Sequence, residues 1–208
     1  MKGIGIIPVK HLNYAKSRLS NILDTNNRIK LCLLMLTDVL NALTSSKLSS
    51  IIVISPDSRV LGLARSFGVD TVSVDLGLNE SISYVKNITN NFDLSIVTPL
   101  DIPLIEPMDI NRIIDLSLNY NVIISPSRDM CGTNILCRKP PNNMETFFGD
   151  LSFKKHIDEA TRRGLKIKIY SSLRVSIDID SSRDLDFALK YCREHNVNKR
   201  FISMFNSK

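Results

Sequence analysis

Short apolar runs alternate with amphipathic stretches through the first half of the chain. Gly3 to Val9 is an apolar run fit for a buried strand, and Asn26 to Ser45 is apolar nearly all round, as a central helix would be. Ile51 to Ile54 reads as the next strand, Ser58 to Phe67 as a helix closed by Gly68, and Thr71 to Val74 as a third strand. Asn79 caps a helix running to about Thr89, Leu94 to Thr98 is a strand, Asp109 to Leu118 a helix, and Val122 to Ser125 a strand. This β-α-β rhythm predicts an α/β, Rossmann-like fold: a mixed, mostly parallel sheet with helices on both faces.

After Pro126 the pattern is less regular. It predicts a polar loop, a short strand Asn134 to Cys137, a turn at Lys139-Pro140-Pro141, and a helix from about Phe153 to Arg163 ended by Gly164. Lys166 to Tyr170 and Val175 to Ile179 read as strands, and Ser182 to Glu194 as the last helix. The whole chain, 1–208, is expected to be one domain.

The most apolar run, Leu31 to Leu36, lies between Lys30 and Asp38, and none approaches the roughly 20 residues of a membrane span. The N-terminal apolar run is too brief for a signal peptide, so a cytoplasmic location without a membrane partner is expected. Cys32, Cys131, Cys137 and Cys192 form no CxxC pair, which argues against zinc or a disulfide framework. The net charge of +6 admits a nucleic acid, an anionic small molecule, or mere solubility. Aromatic content is 6% without tryptophan, too few stacking platforms to expect a nucleic-acid partner.

Ligands of open α/β sheets bind outside the carboxyl ends of the strands, a rule that sets Pro8, Lys10, Ser55, Asp101 and Pro126 along one rim. Lys10, Lys16 and Arg18 leave the first strand on one loop, suited to clamp a triphosphate, though a solvated basic loop would read the same. Asp101 sits between Pro99 and Pro103, a rigid exit from the sheet that holds one carboxylate still. In Ser176 to Asp180, strand alternation would turn Asp178 and Asp180 to one side, where a divalent cation would relieve their repulsion. The plainer reading makes Asp180 or Ser181 the cap of the last helix. Gly149 to Ser152 opens a helix whose free N–H groups favour an anion, although Asp150 or Ser152 there would also serve as a cap. Gly77 permits a close turn, and Asn79 is either a cap or a base reader.

In order along the chain, Pro8-x-Lys10, Ala15-Lys16-Ser17-Arg18-Leu19, Gly77-Leu78-Asn79, Pro99-Leu100-Asp101-Ile102-Pro103-Leu104, Gly132-Thr133-Asn134, Phe148-Gly149 with Ser152-Phe153 and His156, and Asp178-Ile179-Asp180 resemble the 2-phospho-L-lactate guanylyltransferases of coenzyme F(420) biosynthesis. The resemblance spans nearly the whole chain; one departure is Met130-Cys131 before Gly132, where similar proteins are richer in glycine. It implies a nucleotide-diphospho-sugar transferase-like fold and a transfer from GTP, with Mg²⁺, to a small phosphorylated carboxylic acid. Asp101, Lys16 and Arg18 would be catalytic, and Asp101, Asp178 and Asp180 would hold the metal. Pro8, Lys10, Lys16, Arg18, Ser55, Gly77 and Asn79 would bind the nucleotide, and Thr133, Asn134, Gly149 and Ser152 the acceptor, whether phospholactate, phosphoenolpyruvate or phosphoglycerate. A homodimer is the expected assembly. The alternatives are a molybdopterin or sugar-phosphate nucleotidyltransferase, and a non-catalytic nucleotide- or RNA-binding module.

Overall fold

The computed structural model describes residues 1–205. Its strands are β1 (Gly3–Pro8), β2 (Ser50–Ile54), β3 (Asp70–Val72), β4 (Leu94–Val97), β5 (Val122–Pro126), β6 (Thr133–Arg138) and β7 (Ile167–Ile169). They form one sheet in the order β3-β2-β1-β4-β6-β5-β7. All neighbours are parallel except β6, which runs antiparallel to β4 and β5. The expected mixed, mostly parallel sheet is therefore present. Its alternating side chains feed two cores, one face carrying Ile7, Val53 and Ile96 and the other Ile6, Ile52 and Val97.

The helices are α1 (Thr25–Thr44), α2 (Ser58–Ser66), α3 (Leu78–Tyr84), α4 (Lys86–Thr89), α5 (Pro107–Leu116), α6 (Ser152–Arg162), α7 (Leu173–Ser176) and α8 (Ser182–Glu194). α1 is capped by Asp24, whose carboxylate accepts the Asn27 N–H at 2.8 Å. Its nearly all-round apolar surface packs on the sheet, and its one buried charge, Asp38, accepts the N–H groups of Arg200 (2.7 Å) and Phe201 (3.0 Å). That fastens the C-terminal segment over the helix. Among the described residues no helix is long and apolar enough to cross a membrane.

Two expected elements differ. The helix expected from Asn79 to Thr89 is broken at Val85, whose β-branched side chain is buried among the residues of the second core. Gly77, not Asn79, is its N-cap. The strand expected over Val175 to Ile179 is absent: α7 occupies Leu173–Ser176, and the chain then runs extended but outside the sheet. Val175, Ile177 and Ile179 are buried as the alternation requires, yet period-two burial arises wherever an extended segment lies on a core. The segment is tied by two backbone bonds to other parts of the chain, Arg128 N–H to the Ser176 carbonyl at 3.0 Å and Ile179 N–H to the Asp101 carbonyl at 2.9 Å.

Candidate active site

The strand order reverses at β1, with β2 and β3 to one side and β4 to the other, and a cleft of about 680 Å³ opens above the carboxyl ends of these strands. Lys10, Lys16, Asp101 and Asp180 line its charged end. Lys16 starts a 3₁₀ turn, Ser17–Leu19, from a left-handed conformation (φ 54°) that aims its side chain inward. With only 7% of that side chain exposed, its ammonium donates to Asp101 Oδ2 at 2.7 Å and to Asp180 Oδ1 at 2.5 Å. Burial alone would lower the Lys16 pKa, but the two carboxylates outweigh it and hold the ammonium well above its ordinary value.

Asp178 is the third carboxylate. Burial first, then the charges of Asp101 and Asp180, push it up to about 6, so the three groups sense one another. Asn134 holds this corner, donating to the Val175 carbonyl at 2.8 Å and reaching Asp178 Oδ1 at 3.4 Å. Ser181 caps α8, accepting the Asp184 N–H while Asp184 accepts the Ser181 N–H. Asp180 is thereby released from the capping role. Farther back, the fully buried Asp109 on α5 accepts from Tyr170, Ser172 and both Nε and Nη2 of Arg174 on α7. This network clamps the Asp178-Asp180 segment to the helix that follows the Asp101 loop.

Among the described residues no group of three or more acidic, histidine or cysteine side chains is arranged to hold a metal ion as it stands. Asp101 and Asp180 are turned to Lys16 instead. The donor type, carboxylate oxygen with surplus negative charge, nonetheless fits a hard divalent cation.

Other expected site residues divide. Pro8 and Lys10 line the cleft, and Arg18 is exposed outside its walls. Ser55 is buried and accepts the Asp57 N–H at 3.0 Å. Asp57, absent from the sequence reading, caps α2, pairs with Arg59 at 2.7 Å and accepts the Leu12 N–H at 3.1 Å, pinning the loop after β1. The Arg59 hydrogen bonds hold its pKa at about 2 despite burial. Asn79 neither caps nor faces the cleft: its amide bonds the Phe148 backbone twice, at 2.8 and 3.0 Å. A side chain on Gly77 would meet Glu80 Oε2 at 1.9 Å.

Thr133 and Ser152 come together in a buried network, and the exposed Gly149 joins it through its carbonyl, which accepts the Ser152 N–H at 3.1 Å. Ser152 Oγ accepts the Thr133 N–H at 2.9 Å, so neither it nor Asp150 caps α6; the N-cap position is Leu151, in a left-handed conformation. Gly149 has φ 122°, which side chains rarely adopt. His156 Nε2 accepts the Phe147 N–H at 2.8 Å, which leaves the proton of a neutral ring on Nδ1, where it donates to Thr133 Oγ1 at 2.9 Å. Burial holds the imidazole neutral, its pKa lowered to about 4. Both hydroxyls thus receive a hydrogen bond from inside the protein and keep their own O–H to donate. Nothing adjacent in the sequence signals a role for His156, because its partners lie 9 and 23 residues away.

The family described as Guanylyl transferase CofC like matches residues 4–201. The 2-phospho-L-lactate guanylyltransferase of Methanothermobacter thermautotrophicus is 37% identical over 89% of this chain and 83% of its own. The phosphoenolpyruvate guanylyltransferase of Rubrobacter xylanophilus is 34% identical over 89% and 92%. Among solved structures, one described as a nucleotide-diphospho-sugar transferase from Desulfovibrio desulfuricans G20 superposes with a TM-score of 0.80 at 14% identity, covering 99% of this chain and 94% of that one. A manganese complex of Rv0371C from Mycobacterium tuberculosis superposes with a TM-score of 0.60 at 14% identity, over 91% and 99%. These structural likenesses establish the nucleotidyltransferase-type fold. With the family match spanning nearly every described residue and the carboxylate-lysine cleft at the sheet's switch point, this chain belongs to the CofC-like guanylyl transferase family and is a nucleotidyltransferase.

Proposed function

We propose that the enzyme condenses GTP with a small phosphorylated carboxylic acid, 2-phospho-L-lactate or phosphoenolpyruvate, forming a guanosine diphosphate-linked product and pyrophosphate on the route to coenzyme F(420). The acceptor's phosphate oxygen, already anionic, attacks the α-phosphorus, the bond to the β,γ-phosphates breaks, and no general base is needed. The difficulty is bringing two polyanions together. Bound Mg²⁺ would supply Lewis-acid charge neutralisation, held by Asp101, Asp178 and Asp180. Lys10 steers the triphosphate from the cleft wall, and Arg18 adds positive charge at its mouth. Lys16, on this reading, organises the carboxylates and contributes its ammonium to the phosphates. Thr133 and Ser152 donate hydrogen bonds to the acceptor beside the turn at Gly149, with Asn134 setting Asp178.

The observation that carries the reading is the Lys16 ammonium shared between Asp101 and Asp180 at the cleft wall. It gathers cation and carboxylates where two anions would meet. The reading takes the enzyme to be a cytoplasmic homodimer working on small molecules, without nucleic acid or membrane. Its test is a matrix of four nucleotides against phospholactate, phosphoenolpyruvate and phosphoglycerate, scored by pyrophosphate with and without Mg²⁺. Release that requires GTP, a phospho-acid and the metal together supports it; release independent of the phospho-acid defeats it.

A further inference from the structure

The cleft has two unlike ends. Opposite its charged end, toward β3, it is walled by Leu12, Pro56, Leu76 and Leu78, and Asp75 is the one carboxylate among the described residues lining that end. β3 stands three strands from β4, so their exits are about 14 Å apart at the usual strand spacing, a span that an extended nucleotide bridges. With its phosphates beside Lys16 and Asp101, the base falls between the apolar walls near Asp75. Asn79, the amide the sequence offers as a base reader, is engaged by Phe148. Asp75 has no hydrogen-bond partner among the described residues, and His11 Nε2 stands 3.9 Å from its carboxylate.

We propose that Asp75 is the specificity-determining residue for the base, an assignment that rests on the nucleotidyl-transfer reading above. Its two carboxylate oxygens accept the N1–H and the exocyclic 2-amino hydrogen of guanine, a two-donor edge that matches an acceptor-only group. Adenine presents the N1 lone pair there and is repelled; hypoxanthine keeps the N1–H but lacks the second donor. Because the Asp75 side chain is 78% exposed, water competes, and each hydrogen bond to it is expected at the lower end of the range for charged partners, about tenfold.

The test compares wild type with Asp75→Asn on GTP, ITP, XTP and ATP, by kcat/KM for pyrophosphate release and by calorimetric binding of each nucleotide. In the wild type, GTP is favoured over ITP by about tenfold and over XTP and ATP by more. Asp75→Asn offers an amide N–H to the 2-oxo group of xanthine, so use of GTP falls about tenfold, XTP rises, and their ratio moves by about a hundredfold. An XTP-to-GTP ratio unchanged within about threefold in both measurements would overturn the assignment. A wild type that releases no pyrophosphate from any nucleotide counts against the guanylyl-transfer reading alone, since the binding ratios still decide what Asp75 reads.

Discussion

The two ends of the site are built on opposite plans. At the proposed nucleotide end, Lys10 is exposed on the cleft wall, and Lys16 confronts the charges of Asp101 and Asp180 directly. At the proposed acceptor end, Thr133 and Ser152 are buried, uncharged, and already hydrogen-bonded to a backbone N–H or a neutral imidazole. The first end would bind by charge, which acts at several ångströms and tolerates imprecision. The second would bind by oriented dipoles, which act only when every hydrogen points the right way. A mutation at the first end should therefore change chemistry with the fold intact, and one at the second should change fold and acceptor binding together.

The largest effect is expected at Asp101. Asp101→Asn removes charge but little volume, and turnover should fall by at least about a hundredfold with the melting temperature nearly kept. Near-normal activity at saturating Mg²⁺ would remove Asp101 from the metal site. Next is the pH response of the acceptor end. Burial lowers the folded His156 pKa from 6.5 to about 4, so its contribution to stability is complete above pH about 6.5 and is lost as pH falls, reaching about 3 kcal/mol at pH 4. Denaturant titrations from pH 4 to 7 should show that slope, and His156→Gln should flatten it; an identical slope in the variant would mean another group titrates.

Smaller effects separate the two ends by substrate. Thr133→Val leaves the His156 Nδ1–H without its acceptor, so it should cost about 1–3 kcal/mol of stability and raise the KM for the phospho-acid about tenfold, with GTP little changed. Lys16→Ala should act on GTP first. If Thr133→Val instead weakened GTP alone, the helix entrance would belong to the nucleotide.

Much of this was legible in the sequence because each signal was local. Asp101 between two prolines, the basic loop after β1 and the strand-helix rhythm can be read within a dozen residues, and the sheet came out as expected. Asp57 and His156 were not legible in function, because a cap or a buried histidine has no distinctive neighbours. The 175–179 stretch misled for a related reason. Its alternating burial is real, but a ladder also needs a strand alongside, and that partner is invisible in the segment itself.

The order of apolar and polar residues by itself determined most of the elements and the mostly parallel character of the sheet, which depend on short-range periodicity, while the resemblance to the family rested on particular residues held in sequence order. Only the tertiary structure decided which polar groups are engaged and which are available. It turned Asn79 away to Phe148, placed Lys16 between Asp101 and Asp180 across separations of 85 and 164 residues, and left Asp75 on the cleft wall with no hydrogen-bond partner among the described residues. A hydrogen bond depends on ångströms in space rather than on distance along the chain, so the chemistry of a polar side chain is settled when its partners are brought to it.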